Sequence, residues 1–189
     1  MDQITAALDP AKFRDPFVTA KGEARATVAL KGLDTLWFNT GTLCNLTCHN
    51  CYIESSPRND RLAWLTRDDV AGYLAEIRRD GLGTTLIGFT GGEPFMNPAI
   101  IDMLSDTLEA GLDALVLTNA MKPMRRHRAA LLGLRERFGE RLKLRVSLDH
   151  YTEAGHAMER GKRSWAPTLD GLVWLARNGF NVDVAGRRF

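Results

Sequence analysis

Cys44-Asn45-Leu46-Thr47-Cys48-His49-Asn50-Cys51 holds all three cysteines of the chain. Leu36-Trp37-Phe38-Asn39-Thr40, which ends three residues short of it, reads as a buried strand, apolar and of strand length. One short loop at a strand end therefore delivers three thiols to a single point, and the chain has no fourth cysteine to add. Three thiolates suit a metal site with one coordination position left open. An open position is where a metal does chemistry, as opposed to holding a fold together.

Working outward, the chain alternates. Thr66 with Asp69 three residues later reads as a capping box, and Val70, Tyr73, Leu74 and Ile77 then share one face of a helix running to about Arg79. Thr84–Thr90 is the second strand, and Asn97-Pro98 opens a helix that Gly111 closes. Ala114–Thr118 is the third strand, followed by one helix over about Lys122–Phe138. Leu142–Leu148 is the fourth strand. A polar segment follows, then a helix over Thr168–Arg177 and a fifth strand from Phe180 to Val184. Strands separated by helical patterns mean βαβ units, hence an α/β fold with a parallel sheet and right-handed crossovers. Residues 1–33 lack this alternation. Pro10 and Pro16 break them up, Ala26–Leu30 is expected to form one short strand, and the stretch reads as an N-terminal extension leaning on a domain over 34–189. The fifth strand has no helix after it, so the domain is expected to be cut off at its C-terminal end.

Composition narrows the class. With 44% hydrophobic and 25% charged residues the chain is ordinary for a globular protein, and a net charge of +2 is too small to argue for nucleic acid or an acidic membrane. No apolar run approaches the ~20 residues of a membrane span. The N-terminus lacks a signal-peptide core, and an odd, clustered cysteine set fits a reducing compartment, so a cytoplasmic location is expected. The arginines at 125, 126, 128, 135, 137 and 141 belong to a helix whose leucines give it a buried side; without interleaved aromatics they read as a solvated face, not an RNA surface.

Each strand ends in polar or glycine-rich residues: the cysteine loop, Thr90-Gly91-Gly92-Glu93-Pro94, Thr118-Asn119-Ala120, Ser147-Leu148-Asp149 and Ala185-Gly186-Arg187-Arg188. In a parallel sheet these ends share one rim, where ligands bind. The Cys-x3-Cys-x2-Cys run after strand one, followed by Gly-Gly-Glu-Pro after strand two, resembles the radical SAM superfamily. That resemblance implies a partial (β/α)6 barrel, with about five strands present and one side open. It implies that Cys44, Cys48 and Cys51 ligate three irons of a [4Fe–4S] cluster, with S-adenosylmethionine chelating the fourth. Reductive cleavage of S-adenosylmethionine would give a 5′-deoxyadenosyl radical that abstracts hydrogen from a substrate the sequence does not identify. An external electron donor such as a flavodoxin or ferredoxin is implied as a partner. Gly91 and Gly92 would let the backbone approach the methionyl group, whose ammonium their peptides and Glu93 would bond, with Pro94 stiffening the turn. Ser147, Asp149 and Asn119 are the family-based candidates for the ribose hydroxyls, and Arg187 for the methionyl carboxylate. Asn50 stands where the family commonly has an aromatic residue, with Tyr52 just after the loop as the candidate neighbour of adenine.

Other readings stand beside these. Structural zinc would need a further ligand; His49 sits between two cysteines, and His127, His150 and His156 fall in helical or polar contexts. Ser147 and Asp149 read equally well as a strand end and a helix cap, and Asn119 as a turn residue. A fragment that binds cluster or S-adenosylmethionine without turnover is the alternative to an active enzyme.

Overall fold

The computed structural model describes residues 9–187. Residues 1–8, part of the expected extension, and 188–189, including Arg188, lie outside them. The chain forms two compact units, Met1–Lys31 and Gly32–Phe189. Within the described part of the first, Val18 and Ala24 form an isolated antiparallel bridge, and Arg25 Nε donates to the carbonyls of Asp15 and Val18. The strand expected over Ala26–Leu30 does not form. Val28 and Leu30 are exposed there, so no packing surface rewards an extended pairing.

The second unit is built on β1 (Thr35–Asn39), β2 (Leu86–Thr90), β3 (Asp113–Thr118), β4 (Leu142–Ser147) and β5 (Asn181–Ala185). All pair in parallel in the order β1-β2-β3-β4-β5, an open α/β sheet. The connecting helices are α1 (Arg67–Asp80), α2 (Ile100–Glu109), α3 (Lys122–Arg125), α4 (Arg128–Phe138), α5 (Glu153–Arg160) and α6 (Trp165–Arg177). No helix among the described residues is long and apolar enough to cross a membrane.

Side-chain alternation sorts the sheet into two faces. Phe38, Ile87, Phe89, Ala114, Val116, Leu142, Leu144 and Val146 face the helices and meet Val70, Met103, Leu104, Leu131 and Leu175 in one buried core. The opposite face carries Trp37, Gly88, Leu115, Leu117, Lys143, Arg145 and Asp183. Trp37 pairs in register with Gly88, and its ring lies where a Cβ on Gly88 would stand.

Helix ends follow local chemistry. Thr66 Oγ1 accepts from Asp69 N while Asp69 Oδ2 accepts from Thr66 N, so the capping box forms as expected. Gly81 closes α1 in the left-handed region at φ +59°. The single helix expected over Lys122–Phe138 divides: His127 N bonds Met124 O at 2.9 Å, an i→i−3 closure, and a new helix starts at Arg128. The polar segment after β4 contains α5, which the sequence reading left without structure. Thr152 caps it by accepting from Gly155 N, and Gly161 ends it. α6 begins at Trp165, three residues before the expected Thr168.

Candidate metal and cofactor site

The cysteine loop is seated on the turn after β2 by backbone hydrogen bonds. Gly92 N donates to Gly41 O at 2.8 Å and Glu93 N to Leu43 O at 3.0 Å. Both glycines are required by this contact. A Cβ on Gly91, whose φ is +133°, would lie 2.7 Å from Gly41 O, and one on Gly92 would overlap the Leu43 carbonyl. The close approach that the glycines permit is thus to the chain's own loop, where the sequence suggested a ligand. Farther along, Thr42 Oγ1 donates to Asn59 O and Cys44 N to Ser56 O, closing the loop on itself.

So held, Cys44, Cys48 and Cys51 line one cavity of about 320 Å³ at the C-terminal rim of the sheet. Tyr52, Gly91, Gly92, Glu93, Asn119, Ser147, Asp149 and Arg187 line the same cavity. Every strand end singled out in the sequence therefore meets there. Pro94 is buried and starts the short 3₁₀ turn Pro94–Met96 behind the lining. Tyr52 is 87% exposed and stands at the mouth.

Glu93 is buried, and its carboxylate is spent inside the protein. Oε1 accepts from Thr118 Oγ1 and Phe95 N, and Oε2 from Asn119 N. Burial pushes its carboxyl up to about 7, against the pull of those donors toward the ionised form. Asn119 Nδ2 reaches Asn45 Oδ1 at 2.9 Å, tying β3 to the cysteine loop. The next residue, Ala120, is buried at φ +57°, a strained conformation for a residue with a Cβ. Burial, and next the Glu93 charge, raise the Cys44 thiol to about 12. Burial also raises Cys48, opposed by Arg160 and Arg187. A coordinated metal would reverse that preference, since ligated thiols are deprotonated outright.

Asp149, Arg160 and Arg187, which also line the cavity, form an ionic network. Asp149, at 1% side-chain exposure, accepts from Arg160 Nε at 2.6 Å and from Arg187 through N, Nε and Nη2. Burial alone would raise this carboxyl, but the Arg187 hydrogen bonds and the Arg160 charge outweigh it and hold it well below the usual carboxylate range. Arg187 Nη1 lies 3.2 Å from Glu159 Oε2, and Glu159 Oε1 accepts from Asn50 Nδ2 at 2.9 Å. Asn50 therefore bonds α5, which accounts for an amide where an aromatic residue is commoner. Arg160 and Glu159 were not singled out in the sequence, and the buried His156, whose Nδ1 accepts from Asp149 N, was weighed there only as a zinc ligand. Their signal was a faint one, the Thr152-Glu153 start and Gly161 stop of a short helix with few large apolar residues.

The radical SAM superfamily model matches residues 38–187. The chain belongs to that superfamily. It is 30% identical over 143 residues to the antilisterial bacteriocin subtilosin biosynthesis protein AlbA of Bacillus subtilis (strain 168), covering 75% of this chain and 30% of AlbA. The fold matches Streptococcus suis SuiB bound to S-adenosylmethionine with a TM-score of 0.67 at 18% identity, over 82% of this chain and 34% of SuiB. SuiB bound to its precursor peptide SuiA gives a TM-score of 0.68 at 17% identity, over 82% of this chain and 33% of that one. The chain spans about a third of the length of these relatives.

The donor set fits a radical SAM cluster. All three cysteines are free. They line one cavity from one loop, and a four-iron cluster takes each thiolate on a different iron. Backbone N–H groups already point at two of the sulfurs, Leu46 N at Cys44 and Ser55 N at Cys51, at 3.4 and 3.2 Å. Arg160 Nη1 lies 4.0 Å from the third, Cys48 Sγ. Such donors stabilise sulfur ligands carrying negative charge.

Proposed function

We propose that this chain is the cluster- and S-adenosylmethionine-binding core of a radical SAM enzyme that modifies a peptide. The observation that carries the proposal is the convergence of three free cysteines from one loop with the Gly91-Gly92 turn and the ends of β3, β4 and β5 on a single cavity. Cys44, Cys48 and Cys51 would hold three irons of a [4Fe–4S] cluster and leave the fourth for S-adenosylmethionine. When bound, cluster and cofactor supply a reductively generated, hydrogen-abstracting radical, with the electron coming from an external donor such as a flavodoxin or ferredoxin.

The chain's own residues bind and orient. Among the described residues the carbonyls of Gly91 and Gly92 accept no protein hydrogen bond, which suits the ammonium of a methionyl group. Arg160 and Arg187 bring guanidinium N–H groups to one wall, which suits its carboxylate, and Asp149 fixes both guanidiniums. With Asp149 so engaged, Ser147 is the residue we assign to a ribose hydroxyl. Tyr52, exposed on the cavity's rim, is the residue we assign to cover an adenine. Asn119 and Glu93 lock the loop to β2 and β3. A peptide is the proposed substrate class because AlbA is a bacteriocin biosynthesis protein and SuiB has been captured with a precursor peptide. Three free cysteines support a reducing, cytoplasmic setting.

Anaerobic reconstitution with iron and sulfide, followed by EPR of the reduced protein with and without S-adenosylmethionine, tests the proposal. A [4Fe–4S] signal that shifts on addition of the cofactor is expected; a signal indifferent to it overturns the assignment. A second reading, cofactor binding without turnover, draws on the chain's spanning about a third of AlbA and SuiB. Formation of 5′-deoxyadenosine under reductant separates the two.

A further inference from the structure

Next to the cavity, the sheet face opposite the core carries a charge cluster that the cofactor assignments leave unused. Strand register sets Arg145 beside Asp183 and Lys143 beside Asn181. Arg145 Nη2 donates to Asp183 Oδ2 at 3.1 Å, and Lys143 Nζ lies 3.7 Å from the same oxygen. Two cations share one carboxylate oxygen, so the cluster keeps a net positive charge. All three side chains stand only about a third exposed, at 36–37%.

The cluster adjoins the cavity. Leu117, the cross-strand neighbour of Arg145, lines the cavity, and so does Ser147, two residues farther along the same face of β4. At about 3.3 Å per residue, Arg145 stands roughly 7 Å below Ser147, within the reach of its own side chain. Across the face lie Trp37, over Gly88, and Leu115. The surface running down from the cavity is therefore apolar at Trp37, Leu115 and Leu117 and cationic on β4–β5, with Asp113 at its far end paired to Arg141.

We propose that Lys143 and Arg145, steadied by Asp183, form a subsite for a carboxylate side chain of the peptide substrate. This rests on the peptide-modifying function proposed above. Asp183 occupies one Nη of Arg145. Among the described residues the other guanidinium N–H groups have no protein partner, and a planar fork of that kind suits a second carboxylate. Partial burial limits screening by salt, so an acidic side chain would be favoured over its neutral isostere. If the cluster served only to staple β4 to β5, removing Asp183 would weaken the sheet and improve no binding. A binding subsite gives the opposite sign, because losing Asp183 frees both cations.

The test uses the whole 189-residue chain, cluster-loaded and with S-adenosylmethionine, titrated with N-acetyl-Gly-Glu-Gly amide and with its Gln counterpart. Binding is read from amide NMR shifts of β4 and β5. The Glu peptide is expected to bind at least about fivefold more tightly than the Gln peptide. Arg145→Gln should erase that difference, and Asp183→Asn should widen it about twofold or more. Lys143→Gln, which keeps the Arg145–Asp183 bond, should reduce the preference about twofold and stands in where Asp183→Asn unfolds. Equal affinity for the two peptides, or a preference untouched by Arg145→Gln, overturns the subsite. Repeating the titration on cluster-free chain, beside the EPR response to S-adenosylmethionine, reads failure of the cofactor site separately from failure of the anion subsite.

Discussion

A Cβ on Gly92 would overlap the carbonyl group of Leu43, so the turn after β2 and the cysteine loop touch backbone to backbone. The Glu93 N–H bond to that carbonyl at 3.0 Å works only at this closeness. Gly92→Ala must push the loop off its seat at a cost of roughly 1–3 kcal/mol, typical of overpacking. The expected result is a folded protein that binds less than half the wild-type iron and sulfide, measured by colorimetric iron and sulfide content after anaerobic reconstitution. A variant with full cluster content would mean that the loop tolerates the shift.

Cys48 is half-buried on the loop and outside the hydrophobic core. Cys48→Ala should abolish [4Fe–4S] assembly and leave the cluster-free chain within about 1 kcal/mol of wild type in urea unfolding. Visible absorption near the cluster band and the unfolding midpoint are read on the same preparation. Retention of a full [4Fe–4S] spectrum would remove Cys48 from the ligand set.

The strands were legible because they are short apolar runs between turn signals, and β1 to β5 fall within two residues of their expected bounds. The three cysteines and the glycine turn were legible because their residue types admit few alternatives at that spacing. What the sequence concealed was α5. Its eight residues carry two glutamates, an arginine and a histidine with Met158 as the one large apolar side chain, yet His156 and Glu159 are buried because they face Asp149, Arg187 and the loop. Buried charge satisfied by partners distant in sequence does not show as an apolar run. The same limit hid the contact of Gly91 and Gly92 with the cysteine loop, since a glycine advertises a close approach but not to what.

Asp149→Asn removes the carboxylate that anchors both Arg160 and Arg187 in a nearly fully buried position. Leaving the Arg160 guanidinium without its carboxylate, and Arg187 with Glu159 alone, should cost about 3–5 kcal/mol at pH 7. The Asp149 carboxyl is held below its ordinary value of 3.8, so its contribution is present above that pH and is lost as pH falls through the lower, folded-state value. Urea unfolding of both proteins should therefore show a wide gap at pH 7 that narrows below pH 4. A gap constant down to pH 2 would mean that the network does not depend on the ionised form.

Glu93 titrates in the opposite sense. Its carboxyl rises from an ordinary 4.5 to about 7 in the folded chain, with burial as the main cause. Stability from this group is full below about pH 4.5 and is lost as pH rises through about 7. Glu93→Gln cannot titrate, and its amide NH2 must face Asn119 N–H or the Thr118 and Phe95 donors, leaving a buried donor unmatched at a cost of about 1–3 kcal/mol. The variant should thus be less stable than wild type by a margin that is largest near pH 5 and shrinks toward pH 8, measured by urea unfolding at unit pH steps. A margin that grows with pH would show that the three donors outweigh burial and keep Glu93 ionised throughout, making the latch between β2 and β3 a charged one.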